Sequence, residues 1–218
     1  DYDMQASPIS ATANGVPVVI GGGKMGIVYE MNASSGKLIW KTPVGIHDGH
    51  DNDSLNALNG TMKLKLPLIF EPGAYGGILT NMSEADNTVY VATCNLKFID
   101  TKKDTVDGLP DNDSVSGDVE ALNLVTGKVE WDTKVNGLPL GATTVSNNLV
   151  FTTLFQGELL GFNRSTGAIV YQGKLPDTTN STIAIAGNTV IVLAGGPKAE
   201  GQSGVSKIVA YVAPSATS

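Results

Sequence analysis

Both histidines of the chain fall in one short stretch, residues 46–58, which reads IHDGHDNDSLNAL. His47 and His50 stand there among Asp48, Asp51 and Asp53. Several chemistries suit that density. The three carboxylates, with Asn52 as a neutral oxygen donor, could surround a hard cation such as calcium, although the spacing is not that of an EF-hand loop. The two imidazoles could hold a transition metal, but a His-x-x-His pair supplies only part of a ligand set. An imidazole steered by a carboxylate could also move a proton near neutral pH. A polar turn whose Asp and Asn bond their own backbone explains the same residues with no ligand at all.

Other reactive side chains are sparse. The acidic segment 100–116 holds Asp104, Asp107, Asp111 and Asp113 beside Lys102 and Lys103, the pattern of a solvated, self-paired loop or of a loose calcium site. Cys94 is the single cysteine and ends the apolar run VYVATC, so a buried structural thiol is expected and no internal disulfide can form. The sequence has no nucleophile elbow, phosphate-binding loop, zinc-protease helix or haem-attachment Cys-x-x-Cys-His. Arg164 is the only arginine and the net charge is −7, which argues against nucleic acid and anionic membranes as partners. No apolar run reaches the length of a membrane span. Asn-x-Ser/Thr sequons begin at Asn32, Asn52, Asn59, Asn81, Asn112, Asn163 and Asn180. Export with N-glycosylation is one reading; the other is that Asn, Ser and Thr are all turn formers and cluster anyway.

The scaffold that must position these residues announces itself as a repeat. Residues 26–40 read GIVYEMNASSGKLIW, 117–131 GDVEALNLVTGKVEW and 157–171 GELLGFNRSTGAIVY. Each copy is a strand, an Asn-x-x-Ser/Thr-Gly turn and a second strand that closes on an aromatic, Trp40, Trp131 or Tyr171. Two further apolar runs precede each hairpin: 6–10 and 16–20, 76–80 and 88–93, and 141–145 and 149–153. Four strands in roughly 40 to 45 residues make a propeller blade. The predicted class is therefore all-β: a β-propeller of four-stranded antiparallel blades. The expected divisions are a blade over 1–45, an inter-blade insertion over 46–70, and a blade over 71–136 carrying the acidic insertion 95–116. A further blade is expected over 137–176, a degenerate last blade over 177–213 and a tail over 214–218. Four blades with no spare closing strand suggest half of a seven- or eight-bladed ring, completed by further blades or a second chain. Since the sequence starts at Asp1, a processed product or part of a longer protein is expected.

The segment DYDMQASPIS, followed by VPVVIGGGKMGIVYEMNASSGKLIWKTPVG, resembles the pyrroloquinoline-quinone (PQQ) dehydrogenase-like propeller family. The motifs are Asp1-Tyr2-Asp3, Ser7-Pro8, Lys24-Met25-Gly26 and Ser35-Gly36-Lys37 with Trp40. The resemblance implies aromatic docking between blades, PQQ and calcium as cofactors, and oxidation of an alcohol or sugar by a secreted or periplasmic enzyme. It implies that Lys24 contacts the quinone and that Asp1-Tyr2-Asp3 is structural. It also implies an Asn-Trp after a Gly-Gly pair, whereas Gly76-Gly77 is followed here by Ile78-Leu79-Thr80-Asn81. The resemblance also implies that the family's catalytic Asp, calcium ligands and adjacent-cysteine pair lie in a half of the propeller that this sequence does not contain, so that the sequence corresponds to the C-terminal half. The competing expectation is a non-catalytic extracellular propeller that binds or braces partners.

Overall fold

A strand buried on both faces reads as a continuous apolar run, and residues 88–95 (TVYVATCN) are such a run. In the computed structural model, which describes residues 3–63, 65–101, 109–110, 115–195 and 206–212, that run is a central strand of one of four radially stacked sheets. The first sheet is β1 (Ile9–Ala13), β2 (Val16–Gly22), β3 (Ile27–Asn32) and β4 (Leu38–Pro43), an antiparallel meander in sequence order. A link follows that holds the short helix α1 (Asp53–Leu58) and β5 (Leu68–Phe70). The second sheet takes β6 (Ser83–Ala85) and β7 (Thr88–Asn95), and is finished by β10 (Ser116–Asn123) and β11 (Val129–Val135). Between β7 and β10 lie β8 (Phe98–Asp100) and β9 (Leu109–Pro110). The third sheet is β12 (Thr144–Ser146), β13 (Leu149–Leu154), β14 (Glu158–Asn163) and β15 (Ile169–Lys174). The fourth has three strands among the described residues: β16 (Ala184–Ala186), β17 (Thr189–Ala194) and β18 (Lys207–Val212).

Alternation along β7 shows how the sheets stack. Val89 and Val91 enter a core with Val18, Ile20 and Val28 of the first blade. Tyr90, between them, enters a second core with Val150, Leu160 and Phe162 of the third. A third core joins Phe151 and Leu159 to Ile183 and Val192 of the fourth. Each such side chain fully buried contributes about 1.5–3 kcal/mol. The first strands β1, β6 and β12 lie against one another, which sets the inner edge of the stack.

The repeated hairpin has a local and a tertiary cause. Asn32 Oδ1 accepts the amides of Ser34 and Ser35, Asn123 Oδ1 those of Val125 and Thr126, and Asn163 Oδ1 those of Ser165 and Thr166. The turn glycines have φ near +70°, which a side chain resists. They are also seats. Trp40 donates its indole N–H to Leu124 O at 2.9 Å and lies on Gly127; Trp131 donates to Arg164 O at 2.8 Å and lies on Gly167. Thr42 and Thr133, two residues further on, bond the carbonyls of the same two glycines. The aromatic of one blade therefore holds the turn of the next.

The first strands begin later than the sequence predicts. The glycine-rich segments before them are close approaches rather than strands: Gly77 bridges Cys94, and a Cβ on it would stand 2.2 Å from Lys24 O. The two insertions, expected as separate loops, also fold together. β5, from the first, pairs with β8 from the second, and β8 pairs with β9. Under this small sheet Phe98 is fully buried, with Ala74 and Leu96, and the rings of Phe70 and Tyr75 stand 6.2 and 5.3 Å from it. Asp1, Tyr2, Asn112, the tail and the acids and lysines at 102–104, 107, 111 and 113 lie outside the described residues.

Candidate functional site

Antiparallel order places the β2–β3 turn, the link after β4 and the β7–β8 turn at one end of the stack, and the sequence-predicted residues collect there. Lys24 lies in the β2–β3 turn and is 6% exposed. Its ammonium is 3.2 Å from Asp3 Oδ1 and 5.7 Å from the centre of the Tyr75 ring, a salt bridge and a cation–π contact together. The Lys24 amide also donates to Asp3 O. Tyr75 packs edge-on against Phe98, so the small sheet braces the lysine.

His47 stands on the same turn from the other side. Its Nε2 faces Gly26 O at 3.0 Å and Val44 O at 3.2 Å, and its Nδ1 faces Asp51 at 2.9 Å. Both ring nitrogens thus meet oxygen atoms. His50 Nδ1 is 2.6 Å from Asp53 Oδ2, and the His50 amide donates to Asp48. The hydrogen bond to Asp53 pushes the His50 pKa up, burial opposes it, and the neighbouring acids add to the rise. The loop is therefore organised as two His–Asp pairs, with no three of its His and Asp side chains converging on one point. A glycine is needed at 26, where a Cβ would stand 3.0 Å from His47 Nε2.

A different group does converge. Asp118 and Glu120 on β10 and Asp132 on β11 bring ligand oxygens within 4.8 Å of one another. The first two are buried, at 1% and 3% exposure, and the third is exposed. Glu120 accepts the Gly45 amide at 2.6 Å. Its pKa is pushed up to about 8 by burial, against that hydrogen bond, with further upward pressure from Asp132 and Asp118. Asp132 is raised by burial and then by the charge and carboxyl of Asp118, while Lys134 pulls it down. Sequence reasoning missed this trio. Its signal was Glu120, which replaces Tyr29 and Leu160 of the other repeat copies. Cys94 is free, fully buried and pushed up to about 12 by burial, hence inert.

Comparison with known proteins places this arrangement. Residues 113–208 match a family model described as outer membrane protein assembly factor BamB. Among solved structures, the chain is similar to a quinohemoprotein alcohol dehydrogenase of Pseudomonas putida HK5, at 17% identity and TM-score 0.65 over 87% of this chain and 34% of that one. A europium-containing methanol dehydrogenase is similar at 16% identity and TM-score 0.65, over 89% and 40%. The quinohemoprotein alcohol dehydrogenase from Comamonas testosteroni follows at 20% and 0.62, over 86% and 33%. The fold is that of the PQQ-type β-propellers. No curated protein matches the sequence.

The chain spans between a third and two fifths of these PQQ-type propellers. Against a bound quinone, two residues can be judged. The Lys24 ammonium is already engaged by Asp3 and Tyr75. Ile78, where the resemblance implied an Asn-Trp, is fully buried in the core between the first two blades and offers no aromatic plane. As arranged, these residues do not form a quinone cradle.

Proposed function

We propose that this chain is a scaffold and binding portion of a larger secreted PQQ-like propeller and holds no quinone by itself. The observation that carries this reading is Lys24: a buried ammonium paired with Asp3 and laid on Tyr75 ties the first strand segment to the second blade. Its work is then to join blades, and the partners are the remaining blades or a second chain. The His47–Asp53 loop, packed on Gly26, is part of the same brace.

The second reading is a quinoprotein-type dehydrogenase, with PQQ and calcium, that oxidises an alcohol or sugar. The likeness to the alcohol and methanol dehydrogenases favours it, as does the gathering of Lys24, His47 and His50 at one end. The side chain of Asp3 is 60% exposed, so a quinone carboxylate could replace it as the partner of Lys24. In this reading Asp48, Asp51, Asp53, His47 and His50 take the metal. Cofactor extraction from the protein purified with its remaining blades separates the two. Stoichiometric quinone, lost in Lys24→Ala, establishes the dehydrogenase; a folded ring that yields no quinone leaves the scaffold. Secretion with N-glycosylation belongs to both readings. Asn52, Asn59, Asn81 and Asn180 are exposed, and a mass decrease on peptide N-glycosidase treatment is the check.

A further inference from the structure

We propose that Asp118, Glu120 and Asp132 form a calcium site on the second blade, beside the link that leaves the first. Convergence of the three carboxylates is the first observation. Two orphaned atoms are the second. Asp118 is 1% exposed; its Oδ2 accepts Asn95 Nδ2 at 2.5 Å, but its Oδ1 has no partner. Its carboxyl is one of the three that converge, with ligand oxygens of Glu120 and Asp132 within 4.8 Å. Thr93, paired with Asp118 across β7 and β10, is also 1% exposed and its hydroxyl is also without a partner. Cross-strand partners share one face of a sheet. A buried carboxylate oxygen and a buried hydroxyl, both unsatisfied on one face, mark a missing ligand.

The chemistry of that ligand follows from the donors. All are hard oxygens, with no imidazole among them, and such sets suit calcium rather than zinc or copper. Lys134, opposite Asp118 on β11, is exposed and offsets only part of the negative charge. Buried carboxylates this close need a cation or a proton. The exposed edge at Asp132 gives entry. Geometry also assigns a consequence: Glu120 accepts the Gly45 amide and Asn95 accepts the Ile46 amide, so an ion here would stiffen the hinge between the first two blades. The site is separate from Lys24 and from the His47–Asp53 loop and needs no quinone.

The test is calorimetric titration of the chelator-stripped full chain with calcium chloride, in the absence of quinone, with bound metal counted by elemental mass spectrometry. The expected result is binding that is lost in Asp118→Asn, weakened in Asp132→Asn and kept when Asp48, Asp51 and Asp53 are all changed to Asn. Circular dichroism confirms that each variant is folded, and the exposed Asp132 keeps the test available if Asp118→Asn does not fold. No binding by the folded wild type overturns the site and leaves a shared proton in its place. Unchanged binding in Asp132→Asn together with loss in the Asp48, Asp51 and Asp53 variant also overturns it, and moves the ion to the loop.

Discussion

Glu30 is the residue whose chemistry is most at odds with its place. It is fully buried in β3, cross-strand from Trp40, and neither carboxylate oxygen has a hydrogen-bond partner. Burial pushes its pKa up to about 7. A folded pKa above the ordinary 4.5 means that the native state holds the proton more tightly than the unfolded chain does. Stability from this group is therefore complete below about pH 4.5 and is lost as pH rises through 7. Glu30→Gln keeps the shape and removes the charge. It should match the wild type near pH 4.5 and exceed it by roughly 1–3 kcal/mol at pH 8. Urea unfolding at the two pH values measures the difference, and an equal difference at both would remove ionisation as its cause.

At the scale of elements, the turn glycines divide into occupied and open seats. A Cβ at Gly127 would stand 2.6 Å from the Trp40 ring, and one at Gly167 the same distance from Trp131; around Gly36 nothing lies within 4 Å. Gly36→Ala should therefore cost only the backbone term, about 1 kcal/mol. Gly127→Ala and Gly167→Ala must also displace a tryptophan and should cost several times as much, read from denaturant midpoints. In a complete ring, Gly36→Ala should become as costly as the others, because the aromatic of another blade would then fill the seat. The small sheet offers a second measurement. Phe98→Ala should cost about 3–5 kcal/mol and should expose residues 68–70 to hydrogen exchange.

These elements differ in how legible they were. The hairpins could be read directly because each residue of the turn has a local mechanism: Asn bonds its own backbone and Gly takes positive φ. The His–Asp loop could be singled out by type and spacing and Lys24 by the family resemblance, yet their partners could not. Asp3 and Tyr75 reach Lys24 only through the stacking of two blades. The trio of Asp118, Glu120 and Asp132 depends on strand register, which pairs Glu120 with Asp132, and register leaves no mark in a short acidic pattern. β5 and β8 are three-residue strands far apart in the chain, too short to show a period.

Across the whole molecule, each blade is held by its neighbours, so stability is a sum over blades and the interfaces between them. The second blade has a neighbour on each face; the fourth leaves Leu193, Ile208 and Val212 at 51%, 75% and 64% exposure. Amides of β16–β18 should exchange faster than those of β7 and β10, since local opening is easiest where few apolar contacts must be broken. Equal protection in the two regions would mean that the stack opens as one unit.

The sheet shared by the two insertions has a consequence for descent. Insertions in a propeller can ordinarily come and go one loop at a time, because each is closed on itself. Here loss of the 95–116 segment would strip β5 of its partner and bare an apolar edge strand, an invitation to aggregation. Lineages should keep both segments or neither, and a graft onto another propeller should succeed only when both are carried together.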